Sequence, residues 1–134
     1  MSQQNIELSR ELVEAVAQKD ADGLVELTDP EVEWHSFFAQ LGEGGVYRGH
    51  EGIRRYMSDL MDAWEVWRFF EHGVLAVDDL VLMMGHFEYR GRDSGIETIS
   101  PPAGVLVKFR DGRAVFMRSW RDPARALEAA ARQE

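Results

Sequence analysis

The spacing of apolar residues changes at Trp64, from a helical repeat before it to strand-like alternation after it. The helical segment opens at Gly49, and its apolar residues recur at the spacing of one helix face: Ile53, Tyr56, Met57, Leu60, Met61 and Trp64. After Trp64, apolar and polar residues alternate in successive runs that are separated by turn residues. A chain organised in this way is expected to fold as an α+β domain, with helices covering one face of an antiparallel sheet.

Two further helices are predicted nearer the N-terminus. The first has a polar face and an apolar stripe, which consists of Ile6, Leu8, Leu12, Val13, Ala15 and Val16. Asp20 is suited to cap the second helix, which is expected to run to Leu27. That helix should break at Thr28-Asp29-Pro30, because the residue before a proline is disfavoured in the helical region.

Six strands and a closing helix complete the predicted secondary structure. The strands are expected at residues 32–38, 66–71, 74–77, 80–90, 104–110 and 113–121, and the helix at residues 124–131. Asp111-Gly112 is the strongest hairpin signal, since glycine accepts a positive φ. Gly42, Gly44 and Gly45 predict a loop at the rim of the fold, without the sequence context of a phosphate-binding loop.

Length and composition narrow the classes of partner. The chain has 134 residues, the usual size of one domain, and contains no linker-like segment, so residues 1–134 are predicted to form a single domain. It has no cysteine, which excludes disulfides and thiolate metal sites and fits a reducing compartment. Its formal net charge of −9 would repel nucleic acid and anionic lipid surfaces. With no signal peptide or membrane span in the sequence, we expect a cytoplasmic protein that binds neither nucleic acid nor membranes.

Four short motifs occur in the order of a known family. The run Tyr47-Arg48-Gly49-His50-Glu51-Gly52-Ile53-Arg54-Arg55-Tyr56 resembles the entry to the third helix of SnoaL-like proteins, which belong to the nuclear-transport-factor-2-like (ketosteroid-isomerase-like) superfamily. The other three motifs are Gly91-Arg92-Asp93-Ser94-Gly95, Asp111-Gly112-Arg113, and Asp122 followed by Ala126-Leu127-Glu128-Ala129-Ala130.

This resemblance implies a fold but leaves the function open. The implied fold is a cone-shaped α+β barrel, in which three helices of the N-terminal half pack on the concave face of a curved antiparallel sheet. A pocket lies at the open end, and such proteins often form homodimers through the sheet. Members include cyclases, isomerases, dehydratases, epoxide hydrolases and non-catalytic binders, so the fold does not select one activity.

Strand alternation predicts which side chains line this pocket. Successive side chains of a strand point to opposite sheet faces. In residues 80–90 the even positions become polar towards Glu88 and Arg90, so the odd positions are expected to face inwards. The complete predicted lining is Leu12, Val16, Trp34, Ser36, Tyr56, Leu60, Trp64, Met83, Phe87, Val105, Val107, Met117 and Ser119. This set has hydroxyls but no carboxylate or imidazole, which indicates a cavity for a hydrophobic molecule, unless these side chains simply fill the core.

Positions that carry catalysis elsewhere in the superfamily are matched by unreactive residues. By resemblance to ketosteroid isomerases, the general base falls at Trp34, the oxyanion-hole tyrosine at Leu12 and the protonated aspartate near Val105. By resemblance to limonene-type epoxide hydrolases, the catalytic aspartate falls at Ser119 and its partner carboxylate near Phe87. Enolisation and epoxide opening both need positioned acids or bases, so neither reaction is expected here.

Three polar residues remain as weak catalytic candidates: His35, His86 and Glu88. If the strand alternation were shifted by one residue, His86 and Glu88 would enter the pocket as a base and its neighbour; otherwise they lie on the outer face. His35, next to Trp34, is a candidate for the pocket rim. The histidines show no metal-ligand spacing, so neither a metal nor another cofactor is expected.

The sequence thus supports two main functions. The leading hypothesis is binding of a small hydrophobic molecule in an apolar pocket that lacks proton-transfer groups. The alternative is an isomerase, cyclase or hydratase that uses His35 or His86 with Glu88, and a structural dimer with a filled interior is a third possibility. A homodimer formed through the sheet is expected from the resemblance and from Phe116 and Trp120, which are predicted to lie on the outer strand face.

Overall fold

A computed structural model describes residues 2–36 and 46–133 of the chain. Its elements, in chain order, are α1 (Ser2–Ala17), α2 (Ala21–Glu26), β1 (Thr28–His35), β2 (Tyr47–Arg48), α3 (Gly49–Ala63), β3 (Trp64–Val77), β4 (Leu80–Gly91), β5 (Glu97–Ile99), β6 (Ala103–Arg110), β7 (Arg113–Trp120) and α4 (Pro123–Gln133). The loop predicted at Gly42, Gly44 and Gly45, and the end of the strand predicted to reach Phe38, lie outside the described residues.

The strands form one curved sheet in the order β2-β1-β7-β6-β4-β3, and β5 pairs with β4. Every pairing is antiparallel except that of β1 with β7, which is parallel. Within the described residues β2 and β3 lie at opposite ends of the order and do not pair, so the sheet is not closed. The predicted α+β fold with a curved, mainly antiparallel sheet is confirmed, and the parallel pair corrects the expectation of a wholly antiparallel one.

Apolar side chains cover both faces of this sheet, which gives two separate cores. The larger core lies between the concave face and the three helices α1, α2 and α3, as expected. The smaller core lies on the outer face, where Leu80, Leu82 and Leu106 pack against Ala126 and Ala129 of α4. The closing helix therefore lies on the face opposite to the other three, because β4 begins with leucines on its outer side that need cover.

The first strand begins earlier than predicted, at Thr28. Asp20 caps α2 as predicted, since its carboxylate accepts a 2.9 Å hydrogen bond from the Gly23 amide. At the other end of α2, the Thr28 hydroxyl donates to the carbonyl oxygens of Leu24 and Val25 at 3.0 and 3.1 Å. The Thr28 backbone is already paired with Ala114 of β7, so the helix passes directly into the strand.

The structure merges the two strands predicted at residues 66–71 and 74–77 into the single strand β3. The register of β3 against β4 shifts between Glu71 and Gly73, which leaves His72 as the extra residue of a β-bulge. The predicted hairpin at Asp111 and Gly112 is confirmed, with φ angles of 54° and 77°. The strand β5 was not predicted, because a strand of only three residues has too little alternation to detect.

Candidate functional site

A small hollow lies between α1, α3 and the concave face of the sheet. Its volume is about 50 Å³. A single buried water molecule needs about 10–15 Å³, so the hollow has room for only a few such molecules in this conformation. The side chains that line it are Leu12, Val13, Val16, Trp34, Ser36, Tyr56, Trp67, Phe69, Met83, Phe87, Val105, Val107, Met117 and Ser119.

All the residues that the sequence placed on this wall line the hollow except Leu60 and Trp64. Leu60 is buried in the larger core instead. The Trp64 ring packs against the rings of Trp67 and Tyr89, at centroid distances of 5.4 and 4.9 Å. Trp64 follows the last helical residue and already pairs with Gly91 as a strand residue, so the helical spacing that predicted its direction no longer applies.

Three lining residues were not predicted: Val13, Trp67 and Phe69. Trp67 and Phe69 face inwards because they pair with Tyr89 and Phe87, which occupy the odd positions of β4. The sequence does show the alternation of these two aromatic residues, but the orientation of β3 was assigned only once its pairing with β4 was known. Val13 lies between Leu12 and Val16 on the predicted stripe of α1.

The neighbouring strands β1, β7 and β6 bring the polar atoms of the hollow together. Trp34 is paired with Met117 in the parallel register, and each strand places its next inward side chain two residues later, at Ser36 and Ser119. Val105 of β6 is paired with Ser119 from the other side. The described part of the wall is therefore aliphatic, aromatic and thioether, and its polar groups are two indole N–H groups, two hydroxyls and the phenol of Tyr56.

Tyr56 reaches the hollow from α3 and is held in an aromatic cluster. Its ring lies 5.5 Å from the Trp34 ring and 5.4 Å from the Tyr47 ring, measured between centroids. Burial raises the pKa of the Tyr56 phenol to about 12, although the Ser36 hydroxyl and the Trp34 indole act in the opposite direction. The indole of Trp34 lies close enough to lower the pKa of the phenol. By distance and angle, however, its Nε1–H has no hydrogen-bond partner within the described residues.

The raised pKa of Tyr56 predicts a loss of stability at alkaline pH. The phenol keeps its proton in the folded chain up to about pH 12, whereas it ionises near pH 10 once the chain unfolds. The contribution is therefore complete below pH 10 and falls as the pH rises towards 12; it amounts to about 1.4 kcal/mol at pH 11.

Urea denaturation at pH 8 and pH 11 measures this effect when the native chain is compared with Tyr56→Phe. The native chain should lose about 1.4 kcal/mol more than the variant between the two pH values. An equal loss in both proteins would show that Tyr56 ionises as readily in the folded chain as in the unfolded one.

The structure places His86 and Glu88 on the outer face of the sheet, away from the hollow. His86 is paired with Phe70, and its ring stacks on the phenyl ring at 5.2 Å with an interplanar angle of 12°. Its Nε2 atom lies 2.8 Å from Glu88 Oε2, and its Nδ1 atom lies 2.7 Å from Nε2 of His72 in the bulge. The alternation that put odd residues of β4 inwards accounts for this position.

His35 also points away from the hollow, because its neighbour Trp34 faces inwards. Its Nε2 atom lies 2.9 Å from Glu33 Oε1, and its ring lies 5.4 Å from that of Phe116. The three weak catalytic candidates therefore lie off the wall of the hollow, and no specific observation favours the enzyme hypothesis built on them.

None of the described side chains on the wall of the hollow is ionised at neutral pH. Elsewhere, too, the described residues contain no cluster of three or more histidine, aspartate or glutamate side chains that could hold a metal ion. No described helix is both long and apolar enough to cross a lipid bilayer. The chemistry available at the wall is therefore apolar contact and neutral hydrogen bonding.

Comparison with known families and structures gives consistent results for the fold. The family model of the SnoaL-like domain matches residues 9–117, which include three of the four motifs and exclude the one in α4. None of the curated proteins matches the chain significantly.

Three solved structures illustrate the structural similarity. An NTF2-like protein of unknown function from Burkholderia pseudomallei is 20% identical with a TM-score of 0.76, and the match covers 93% of this chain and 95% of that one. TerC, co-crystallised with polyporic acid, is 23% identical with a TM-score of 0.75 over 93% and 96% of the two chains. A proposed SnoaL-like polyketide cyclase from Jannaschia is 17% identical with a TM-score of 0.74 over 96% and 92%. At these identities the comparisons show the shared fold alone.

Proposed function

Because the chain belongs to the SnoaL-like domain family, whose fold serves both enzymes and binders, we propose from its own side chains that it binds a small hydrophobic molecule in the hollow, without acid–base catalysis. The observation that carries this proposal is the composition of the wall: of the fourteen lining residues that the structure describes, none has an ionisable carboxylate, imidazole, amine or guanidinium. Transfer of an apolar molecule from water to such a wall is favourable, whereas general acid–base catalysis would need a group that the wall lacks.

The hollow has to widen before a ring-sized molecule can enter it. A volume of about 50 Å³ is well below that of typical ligand pockets, which hold about 300–1,000 Å³. Met83 and Met117 lie on the wall, and methionine changes rotamer at low energy because its side chain is unbranched and has three rotatable bonds. We expect a ligand to displace these two side chains and to select a wider conformation of the same site.

One structurally similar protein has been crystallised with a small organic molecule, but this similarity does not identify the ligand of the present chain. TerC was co-crystallised with polyporic acid. That observation concerns TerC, and the 23% identity does not extend it to this chain. We propose only the class of ligand, an uncharged and mainly hydrophobic organic molecule, since this class follows from the wall itself.

Toluene is a suitable first probe for this proposal. At ten times its Kd, a ligand that binds only the folded chain adds about 1.4 kcal/mol of stability, which raises Tm by about 4–7 °C for a domain of this size. Val105→Phe should block the effect by filling the hollow. Val66→Phe makes the same exchange at a 36% exposed position of β3 outside the hollow, and should keep it.

The outcome separates binding in the hollow from general adsorption. A saturable rise in Tm for the native chain and for Val66→Phe, but not for Val105→Phe, would support the proposal. The proposal would fail if toluene does not stabilise the native chain, or if it stabilises Val105→Phe equally well.

We also propose a homodimer formed through the outer face of β3, β4 and β5. Phe116 and Trp120, predicted for this interface, are half-buried and pack against the core beneath α4. The apolar surface left on this face includes Val66, Phe70, Leu75, Val77 and Ile99, which are 36%, 37%, 48%, 44% and 70% exposed. They share the face because they pair with outward residues of β4.

Sedimentation velocity tests this dimer. The native chain is expected to sediment as a dimer, and the double variant Phe70→Glu, Ile99→Glu as a monomer, because two like charges would be buried at each interface. Leu127→Glu, at a 49% exposed position of α4, is the control and should remain dimeric. A native monomer at high concentration would contradict the proposal.

A further inference from the structure

The wall of the hollow contains a buried hydrogen-bond donor without an acceptor. Trp34 is 3% exposed, and its Nε1–H has no hydrogen-bond partner within the described residues. Buried donors are nearly always paired in folded proteins, and an unpaired one at a cavity wall calls for an explanation by water or by a ligand. Trp34 lines the hollow, so a guest that displaces neighbouring side chains can reach this donor.

The Tyr56 phenol lies close enough to Trp34 for the indole to lower its pKa, but no described group accepts from the indole in hydrogen-bond geometry. The polar groups around Trp34 form one end of the hollow. Tyr56 lies against the indole ring and interacts with the Ser36 hydroxyl. Its phenol is protonated at neutral pH, and burial raises its pKa further, to about 12, so the phenol is a neutral donor and acceptor. Ser119 adds a hydroxyl from the neighbouring strand.

The remainder of the wall restricts what else the guest can carry. The side chains from α1, β3, β4 and β6 that line it are aliphatic, aromatic or thioether groups: Leu12, Val13, Val16, Trp67, Phe69, Met83, Phe87, Val105 and Val107. A charged guest would lose its hydration there, and none of the lining residues that the structure describes is ionised to compensate. A pure hydrocarbon would be tolerated, but it would leave the indole N–H unsatisfied.

We propose, on the basis of the proposed function, that the ligand is a neutral molecule with one acceptor oxygen, as in a ketone or ether. This oxygen accepts a hydrogen bond from Trp34 Nε1–H. Its hydrocarbon body lies against the aliphatic and aromatic wall. The oxygen lies at the end formed by Trp34, Tyr56, Ser36 and Ser119.

Two isosteric probes isolate the contribution of the oxygen: cyclohexanone and methylenecyclohexane, which differ only in an oxygen atom against a methylene group. Titration followed by two-dimensional ¹H–¹⁵N NMR gives both Kd values and reports on the indole N–H directly. We expect the native chain to bind cyclohexanone roughly tenfold more tightly, because only the ketone accepts the hydrogen bond. Cyclohexanone should also move the Trp34 indole resonance downfield, and cyclohexanecarboxylate should not bind.

Two Trp→Phe variants provide the matched comparison. Trp34→Phe removes the N–H and should abolish the tenfold preference for the ketone. Trp67→Phe removes another indole from the same wall and should change the affinity of both probes by a similar factor, which preserves the preference. If Trp34→Phe does not fold, the selectivity of the native chain and the shift of its indole resonance still decide the question.

The possible results distinguish this inference from the function on which it rests. Equal affinity for the two probes in the native chain, or an unchanged preference in Trp34→Phe, would overturn the role of Trp34 while leaving hydrophobic binding intact. Failure of both probes to bind the native chain at millimolar concentration would overturn both proposals. A ketone preference that Trp34→Phe abolishes and Trp67→Phe retains would support both.

Discussion

Substituting Gly85 with alanine is expected to lower the free energy of unfolding by about 3 kcal/mol or more, even though it adds only a methyl group. A Cβ atom at this position would collide with the carbonyl oxygen of Phe70 and would lie 3.0 Å from Cζ of Phe69. The first contact is with backbone at the β-bulge, so it cannot be relieved by a rotamer change. β3 would have to move away from β4, and Phe69 on the wall of the hollow would move with it.

Gly73 provides a control within the same bulge. A Cβ atom there would meet only the terminal methyl group of Met84, at 3.7 Å, which is ordinary van der Waals contact. Gly73→Ala should therefore change stability by less than about 1 kcal/mol. Urea denaturation of both variants measures the difference, and a similar loss in the two would show that close backbone approach at Gly85 does not determine the bulge.

Substituting Met83 with alanine is expected both to weaken the fold and to enlarge the hollow. Met83 is 1% exposed, lines the hollow and is paired with Val105 across β4 and β6. Truncation of a buried methionine costs about 2–5 kcal/mol, through lost packing and the cavity left behind. Because the space removed from Met83 adds to the existing hollow, the variant should bind toluene more tightly than the native chain, by roughly tenfold.

Met84→Ala is the matched control for this double effect. The neighbouring residue Met84 is half-buried on the opposite face, where it packs against the core beneath α4. Its truncation should be less destabilising and should leave the affinity for toluene unchanged. Thermal denaturation with and without toluene measures both quantities. If Met84→Ala bound toluene more tightly, or if Met83→Ala did not, toluene would not bind in the hollow and the proposed function would be contradicted.

The orientation of β4 could be predicted from sequence because its outer positions become polar. His86 and Glu88 mark the solvent side of the strand, and this assigns Met83 and Phe87 to the inner side without knowledge of any partner strand. The position of Trp34 followed in the same way from the alternation of β1. Local alternation was therefore sufficient wherever a strand has one polar and one apolar face.

The features missed by the sequence depend on contacts between distant segments. The bulge at His72 adds one residue to β3, and a single added residue inverts the orientation of every residue beyond it. The parallel pairing of β1 with β7 joins residues about eighty positions apart and leaves no local signature. The unpaired N–H of Trp34 likewise could not be predicted from the sequence, because it depends on whether a neighbouring side chain places an acceptor within hydrogen-bond distance.

The positions of the polar side chains explain why we propose binding, and not catalysis, as the function of this chain. His35, His86 and Glu88, the weak catalytic candidates from the sequence, each lie on the face away from the hollow. On the inner face, Trp34 and Ser119 occupy positions that the family resemblance associates with a general base and a catalytic aspartate. The described side chains of the wall offer apolar contact and neutral hydrogen bonding.

The crystal structure of the chain with toluene bound would test the central claim most directly, because it shows both the site and the groups that surround the ligand. We expect electron density for the ring inside the hollow, in contact with Leu12, Trp34 and Met117, with no ionisable side chain within hydrogen-bond distance. Density for toluene only on the outer face, or a carboxylate or imidazole turned into the hollow, would contradict the assignment of this cavity as an apolar binding site.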